Sequence, residues 1–268
     1  MKTKSKFIVS MLVLFLSFSV AFAEDFPYRK DFPGVSYISS QDLKAKNDKK
    51  ETIIIDVRSK IEYDVMHIDK CLHISMAQAT FVDEVGKLIK DNPKKTIVFY
   101  CNGTTCLKSY ESVQKMTEAG YKNTVAYDGG IPEWSKLYPA ETIVFGKVLT
   151  DPGKQLISDS DFKKRLIDFE TFKAKAANPK AIVVDIRDFI QNSGKLPGLE
   201  NARTIPLDKF IPNFVAKKLE QDKTLLIFDQ VGKQVKWLMY YLRDNGYENY
   251  YFLDKQGATS VLKKQDYK

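Results

Sequence analysis

A chain of 268 residues with 44% apolar and 28% charged residues has the composition of a folded protein of one or two domains, not of a disordered chain. Its formal charge of +8 is spread along the sequence, with no element that interleaves basic and aromatic residues, so no nucleic-acid partner is expected. Three cysteines are too few for a disulfide scaffold and two histidines too few for a His-rich metal site.

The chain opens with Lys2, Lys4 and Lys6, an apolar run over residues 7–20, and a small-x-small site at Ala21-Phe22-Ala23. This is the pattern of a secretory signal peptide, and the run is shorter than the roughly 20 residues that span a bilayer. Cleavage near Ala23 leaves no membrane segment and predicts a periplasmic or secreted protein. An odd number of cysteines in an exported protein leaves at least one thiol unpaired or paired elsewhere, so a reactive thiol is worth seeking among Cys71, Cys101 and Cys106.

Residues 53–57 and 96–100 are short continuous apolar runs, as expected of strands buried on both faces. Cys101 follows the second run. A helical pattern comes next, carried by Tyr110, Val113 and Met116 and stopped at Gly120. Periodicity then fails over residues 137–161, where Pro139 and Asp151-Pro152-Gly153 mark a linker. Beyond it the order recurs. Residues 157–163 resemble 38–44, residues 182–187 resemble 53–58, residues 224–228 resemble 96–100, and Asn245-Gly246-Tyr247-Glu248-Asn249 resembles Ala119-Gly120-Tyr121-Lys122-Asn123. Trp237, Tyr240 and Tyr241 carry the second helical pattern. Two copies of one domain in tandem are expected, over residues 24–145 and 146–268. Strand, loop, helix and strand in this order imply an α/β fold in which each copy is a parallel sheet flanked by helices, with ligands at the carboxyl ends of the strands. Cys101 and Asp229 hold the same place in the two copies.

A cysteine between a strand end and a helix N-terminus faces backbone N–H groups and the positive end of the helix dipole. Such surroundings lower a cysteine pKa from about 8.5 to about 3.5–7.5. In the loop Cys101-Asn102-Gly103-Thr104-Thr105-Cys106-Leu107-Lys108, Gly103 permits a tight turn, Asn102, Thr104 and Thr105 add short polar groups, and Lys108 adds a charge at the helix start. The same donors suit a persulfide anion or a bound oxyanion.

Tyr100-Cys101-Asn102-Gly103, Lys108-Ser109, Gly120-Tyr121-x-Asn123 and Asp128-Gly129-Gly130-Ile131-Pro132-Glu133-Trp134 resemble the active-site half of rhodanese domains. Asp56-Val57-Arg58, Glu62-Tyr63 and His67-Ile68 resemble the earlier motif of that family. The resemblance spans residues 36–134 and, more weakly, 157–253, where Gly194-Lys195-Leu196-Pro197-Gly198 and Asn201-Ala202 carry it. It implies a five-stranded parallel sheet, and a ping-pong sulfurtransferase in which Cys101 takes a sulfane sulfur from a donor such as thiosulfate and passes it to cyanide or to a small-molecule or protein thiol. It implies no metal and no organic cofactor. Asp56 and Arg58 are expected to pair beneath the loop and support it, His67 to be structural and Cys71 to be buried.

The second copy departs from the pattern, because the carboxylate of Asp229 cannot form a persulfide. That copy is expected to be non-catalytic. Cys106, five residues after Cys101, is open to three readings: a disulfide partner, a resolving thiol, or a residue packed at the helix start. Thiol–disulfide chemistry through Cys101 and Cys106 and a non-catalytic sulfur-carrier module therefore stand beside sulfur transfer. The first loop is two residues longer than the second, and because enlarged loops in the rhodanese superfamily go with phosphate-type oxyanion substrates, the resemblance implies phosphatase or arsenate chemistry as a further alternative. Lys108 lacks the bidentate fork that such oxyanion chemistry favours.

Overall fold

The computed structural model describes residues 26–191, 194–254 and 256–262. The leader read at residues 1–23 lies outside them.

In the N-terminal half, Ser39 caps α1 (Ser40–Asp48) by accepting from the Asp42 N–H, and the chain then enters β1 (Thr52–Asp56). α2 (Lys60–Val65) opens on a reciprocal Ser59/Glu62 capping box and runs directly into β2 (Met66–Ile68) and then β3 (Leu72–His73). α3 (Phe81–Asp91), β4 (Thr96–Tyr100), α4 (Lys108–Glu118), β5 (Thr124–Tyr127) and α5 (Gly130–Leu137) complete an alternating pattern. The strands are parallel in the order β3-β1-β4-β5. Four strands form here, not five. The position beside β5 is filled by a single parallel bridge between Tyr37 and Ala126, because Ser39 already begins the turn into α1.

The stretch expected to be an irregular linker is structured. β6 (Thr142–Val144) pairs antiparallel with both β2 and β7 (Lys147–Val148), and α6 (Pro152–Gln155) and α7 (Asp159–Lys163) follow. Elements of two to five residues are too short for a hydrophobic period to register.

The C-terminal half adds β8 (Leu166–Ile167), α8 (Phe169–Ala176), β9 (Ala181–Asp185), β10 (Arg203–Thr204) and α9 (Leu207–Phe210). It ends with β11 (Thr224–Phe228), α10 (Gln234–Asp244), β12 (Tyr250–Leu253) and α11 (Gly257–Leu262). Its five strands are parallel in the order β10-β9-β11-β12-β8. The central registers match across the halves: Asp56 lies opposite Tyr100, and Asp185 opposite Phe228.

One buried apolar cluster joins the halves. It takes Val98 and Tyr100 from β4 and Leu225 and Ile227 from β11, with Val144, Leu149 and Ile157 between them. Side chains alternate faces along a strand, and Cys101 holds the position of Asp229. Tyr100 therefore corresponds to Phe228, and the two halves meet through opposite faces of their sheets. The remaining face of the first sheet packs Ile97, Phe99 and Cys101 under Tyr110, Val113 and Met116 of α4. That of the second packs Leu226 and Phe228 against Phe172 and Ala258.

Candidate active site around Cys101

Cys101 leaves the carboxyl end of β4, in the middle of the sheet, as the strand–loop–helix order predicts. It is only 1% exposed and forms a disulfide with Cys106, with 6.2 Å between the Cα atoms. The loop is tightly folded. The Cys106 N–H donates to the Gly103 carbonyl at 2.9 Å, and the Ile131 N–H donates to the Cys101 carbonyl at 3.1 Å. Gly103 (φ 91°) and Gly130 (φ 60°) lie in left-handed backbone, and a Cβ on Gly130 would come within 2.5 Å of the Cys101 carbonyl oxygen. The backbones of the two loops approach as closely as glycine allows.

Thr104 is half-buried, Thr105 exposed and Cys106 half-buried, while Leu107 is exposed at the N-cap of α4. Half-buried Lys108 is the first residue of that helix. Leu107 gives the helix no side-chain cap, so its first N–H groups open toward the loop.

Asn102 ties the loop to a buried polar network. Its carboxamide accepts from Arg58 Nη1 at 3.1 Å and donates to Glu62 Oε1 at 2.5 Å. Arg58 also donates through Nε and Nη2 to both Asp56 oxygens, and through Nη2 to the Met66 carbonyl at 2.6 Å. Arg58 and Asp56 are each 0% exposed. Burial works against the Arg58 charge, but the charge and hydrogen bonds of Asp56 outweigh it, so the guanidinium is held above its ordinary pKa. Burial likewise opposes ionisation of Glu62, and there the Arg58 charge and the bonds from Asn102 and Ser59 prevail, so its pKa is lowered. Tyr100 donates its hydroxyl proton to Asp56 Oδ2 at 2.7 Å. The Tyr100 hydroxyl oxygen in turn accepts from the Ile68 N–H at 3.1 Å and from the Cys71 thiol at 3.3 Å. Cys71 is buried, and desolvation with the nearby Asp56 charge pushes its pKa up to about 12, so it stays a thiol. His67 stacks on Tyr63 with ring centroids 3.9 Å apart, and its Nδ1 meets the Tyr63 carbonyl at 2.8 Å. Burial lowers its pKa.

Three contributors, Tyr100, Glu62 and Asp128, stand in the quoted motifs but were given no role from the sequence. The hydroxyl of Tyr100 was hidden in a run read as apolar. Glu62 was signalled by the Ser59-x-x-Glu62 spacing, which is a capping-box signature. Asp128, next to the Gly129-Gly130 pair, accepts from Arg29 Nε at 2.7 Å and from the Tyr110 hydroxyl at 2.6 Å, and nothing local announces either partner.

The loop after β11 repeats this geometry around a carboxylate. Asp229 is 1% exposed. Its side chain accepts from the N–H groups of Gly232, of Gln234 at 2.6 Å and of Val235 at 3.3 Å. Burial nevertheless raises its pKa. Arg187 holds Asp185 through Nε and Nη2 at 2.8 Å each and reaches Gln230 at 3.4 Å, as Arg58 reaches Asn102. The Ala258 N–H donates to the Asp229 carbonyl at 2.9 Å, as Ile131 does to Cys101. α10 begins five residues after Asp229, whereas α4 begins seven residues after Cys101.

Residues 39–137 match the family model described as "Rhodanese-like domain". Among curated proteins, a tRNA uridine(34) hydroxylase of Photorhabdus laumondii is 25% identical over 135 residues, covering 49% of this chain and 36% of its own. A probable adenylyltransferase/sulfurtransferase MoeZ of Mycobacterium tuberculosis is 30% identical over 92 residues, covering 34% of this chain and 22% of its own. The chain thus spans about a third of the first of these relatives and less than a quarter of the second. Among solved structures, a thiosulfate sulfurtransferase from Pseudomonas aeruginosa is similar at 18% identity, covering 88% of this chain and 46% of its own, with a TM-score of 0.39. The chain carries a rhodanese-like domain, and Cys101 with its whole loop lies inside it.

Proposed function

We propose that the protein is a sulfurtransferase working through a persulfide on Cys101. The observation that carries this reading is the set of backbone N–H groups that the matching loop gathers around one buried side chain. Where the C-terminal half places Asp229, three backbone N–H groups converge on a buried carboxylate. The corresponding loop around Cys101, two residues longer and leading into the N-terminus of α4, favours a thiolate and then a persulfide anion. The Cys101–Cys106 disulfide blocks both, so a dithiol reductant acts first, taking up the oxidising equivalents as its own disulfide. The freed Cys101 thiolate attacks the sulfane sulfur of a donor such as thiosulfate. A new S–S bond forms, the donor S–S bond breaks, and sulfite leaves with the electron pair. A thiol or cyanide acceptor then attacks the outer sulfur and returns Cys101 as thiolate. Asp56 and Arg58 support the loop through Asn102. Residues 146–268 form a second, non-catalytic rhodanese-like unit, and the leader directs the protein to the periplasm or outside the cell.

Mass spectrometry of reduced protein incubated with thiosulfate tests this. One added sulfur on the Cys101 peptide is expected, lost in Cys101→Ser. Cys106→Ser should retain it and no longer need reductant. No gain in reduced protein would end the proposal. The disulfide itself favours a second reading, thiol–disulfide exchange. In that case both serine variants lose turnover of a disulfide substrate.

A further inference from the structure

We propose that Trp237, from the half of the chain that lacks the cysteine, is a positioning residue for the Cys101 loop and acts through the face of the Arg58 guanidinium. The proposal rests on Cys101 being the working thiol.

The guanidinium is a flat fork with five N–H donors. Around its edge, the acceptors are both oxygens of Asp56, the Met66 carbonyl and Asn102 Oδ1. Only aromatic rings can engage the flat face of such a group without competing for those donors. Two rings lie within that range. Tyr100 belongs to the same sheet, with its centroid 5.6 Å from Arg58 Cζ, and Trp237 comes from the other half, at 5.0 Å. Trp237 is 9% exposed and stacked on Tyr240. Its helix is anchored to the first half independently: α10 packs on α2, Tyr241 donates to the Ile61 carbonyl at 3.3 Å, and its ring meets Phe145 edge-on at 5.2 Å.

Arg58 holds Asn102 by a single bond, whereas it holds Asp56 by several. Water reaching the guanidinium face would compete first for that single bond. Trp237 excludes it. The C-terminal half thereby fixes the register of a loop whose sequence it does not share, an arrangement made possible because the halves meet through opposite sheet faces.

The test is the rate of iodoacetamide labelling at Cys101 in the Cys106→Ser background, with buried Cys71 as the unreactive control. Trp237→Leu keeps the bulk and removes the π face, and should slow labelling about tenfold when the reaction is run at a pH below the parent thiol's pKa, the effect of one pKa unit there. Trp237→Phe restores a face and should stay within about threefold of the parent. Asn102→Ala should slow labelling alone and leave Trp237→Leu without further effect, because the link is already cut. Where the leucine variant does not fold, Trp237→Met takes its place. Labelling at the parent rate in the leucine variant, equal loss in the phenylalanine variant, or multiplying effects with Asn102→Ala would each overturn the proposal. Thiosulfate loading of the parent is measured alongside. A parent that labels but gains no sulfur removes the sulfurtransferase reading and leaves the Trp237 result to stand on labelling.

Discussion

Asp56 is the residue on which the polar network turns. It neutralises a guanidinium that no solvent reaches and accepts the hydroxyl of Tyr100. Removing one partner of a buried ion pair leaves the other charge uncompensated. Asp56→Asn should therefore cost about 3–5 kcal/mol in urea unfolding and slow labelling of Cys101 in reduced protein. Tyr100→Phe is a subtler change. Phe228 at the matching position means a phenyl ring fits the strand. What is lost is the oxygen that takes the Ile68 N–H and the Cys71 thiol. Two stranded donors predict a loss of about 1–3 kcal/mol by the same measurement, although the apolar surface is unchanged.

Among elements, short connections decide more than long ones. The capping box at the start of α2 orients Glu62, which in turn holds Asn102. Ser59→Ala should cost about 1 kcal/mol in thermal or urea unfolding. Gly130→Ala should be worse, because its Cβ would collide with the Cys101 carbonyl and the backbone of Gly103. We expect about 1–3 kcal/mol of destabilisation and loss of sulfur uptake by mass spectrometry. The strands at 96–100 and 224–228 were legible to the residue, and Tyr110, Val113 and Met116 are buried as their spacing implied. Continuous apolar runs and a 3.6 period are strong local signals. The small sheet of β2, β6 and β7 was not legible, because its strands are only two or three residues long and β2 joins β6 from far away in sequence. Trp237 read correctly as a helix-face residue, but a periodic pattern says which side is apolar and not what will cover it. The spacing of Cys101 and Cys106 left their pairing open, and the fold of the loop closes it as a disulfide.

For the molecule as a whole, two buried carboxylates give stability opposite dependences on pH. Glu62 is ionised more readily in the folded protein than in the unfolded chain, so its contribution is complete above the usual 4.5 and fades as pH falls through the lowered folded value. Asp229 has a raised folded pKa, so the folded state holds a proton the unfolded chain releases, and stability declines as pH rises from the usual 3.8 through that value. The urea midpoint measured from about pH 3 to about pH 8 should separate them. The penalty of Glu62→Gln should vanish in acid, and Asp229→Asn should gain on the parent as pH rises. Asp229 has a consequence for stoichiometry too. Its loop is permanently satisfied by a ligand that is part of the backbone's own chain and can neither dissociate nor be oxidised. A titration with sulfur donor should saturate at a single equivalent per polypeptide, and no excess of donor will recruit the other half to the chemistry.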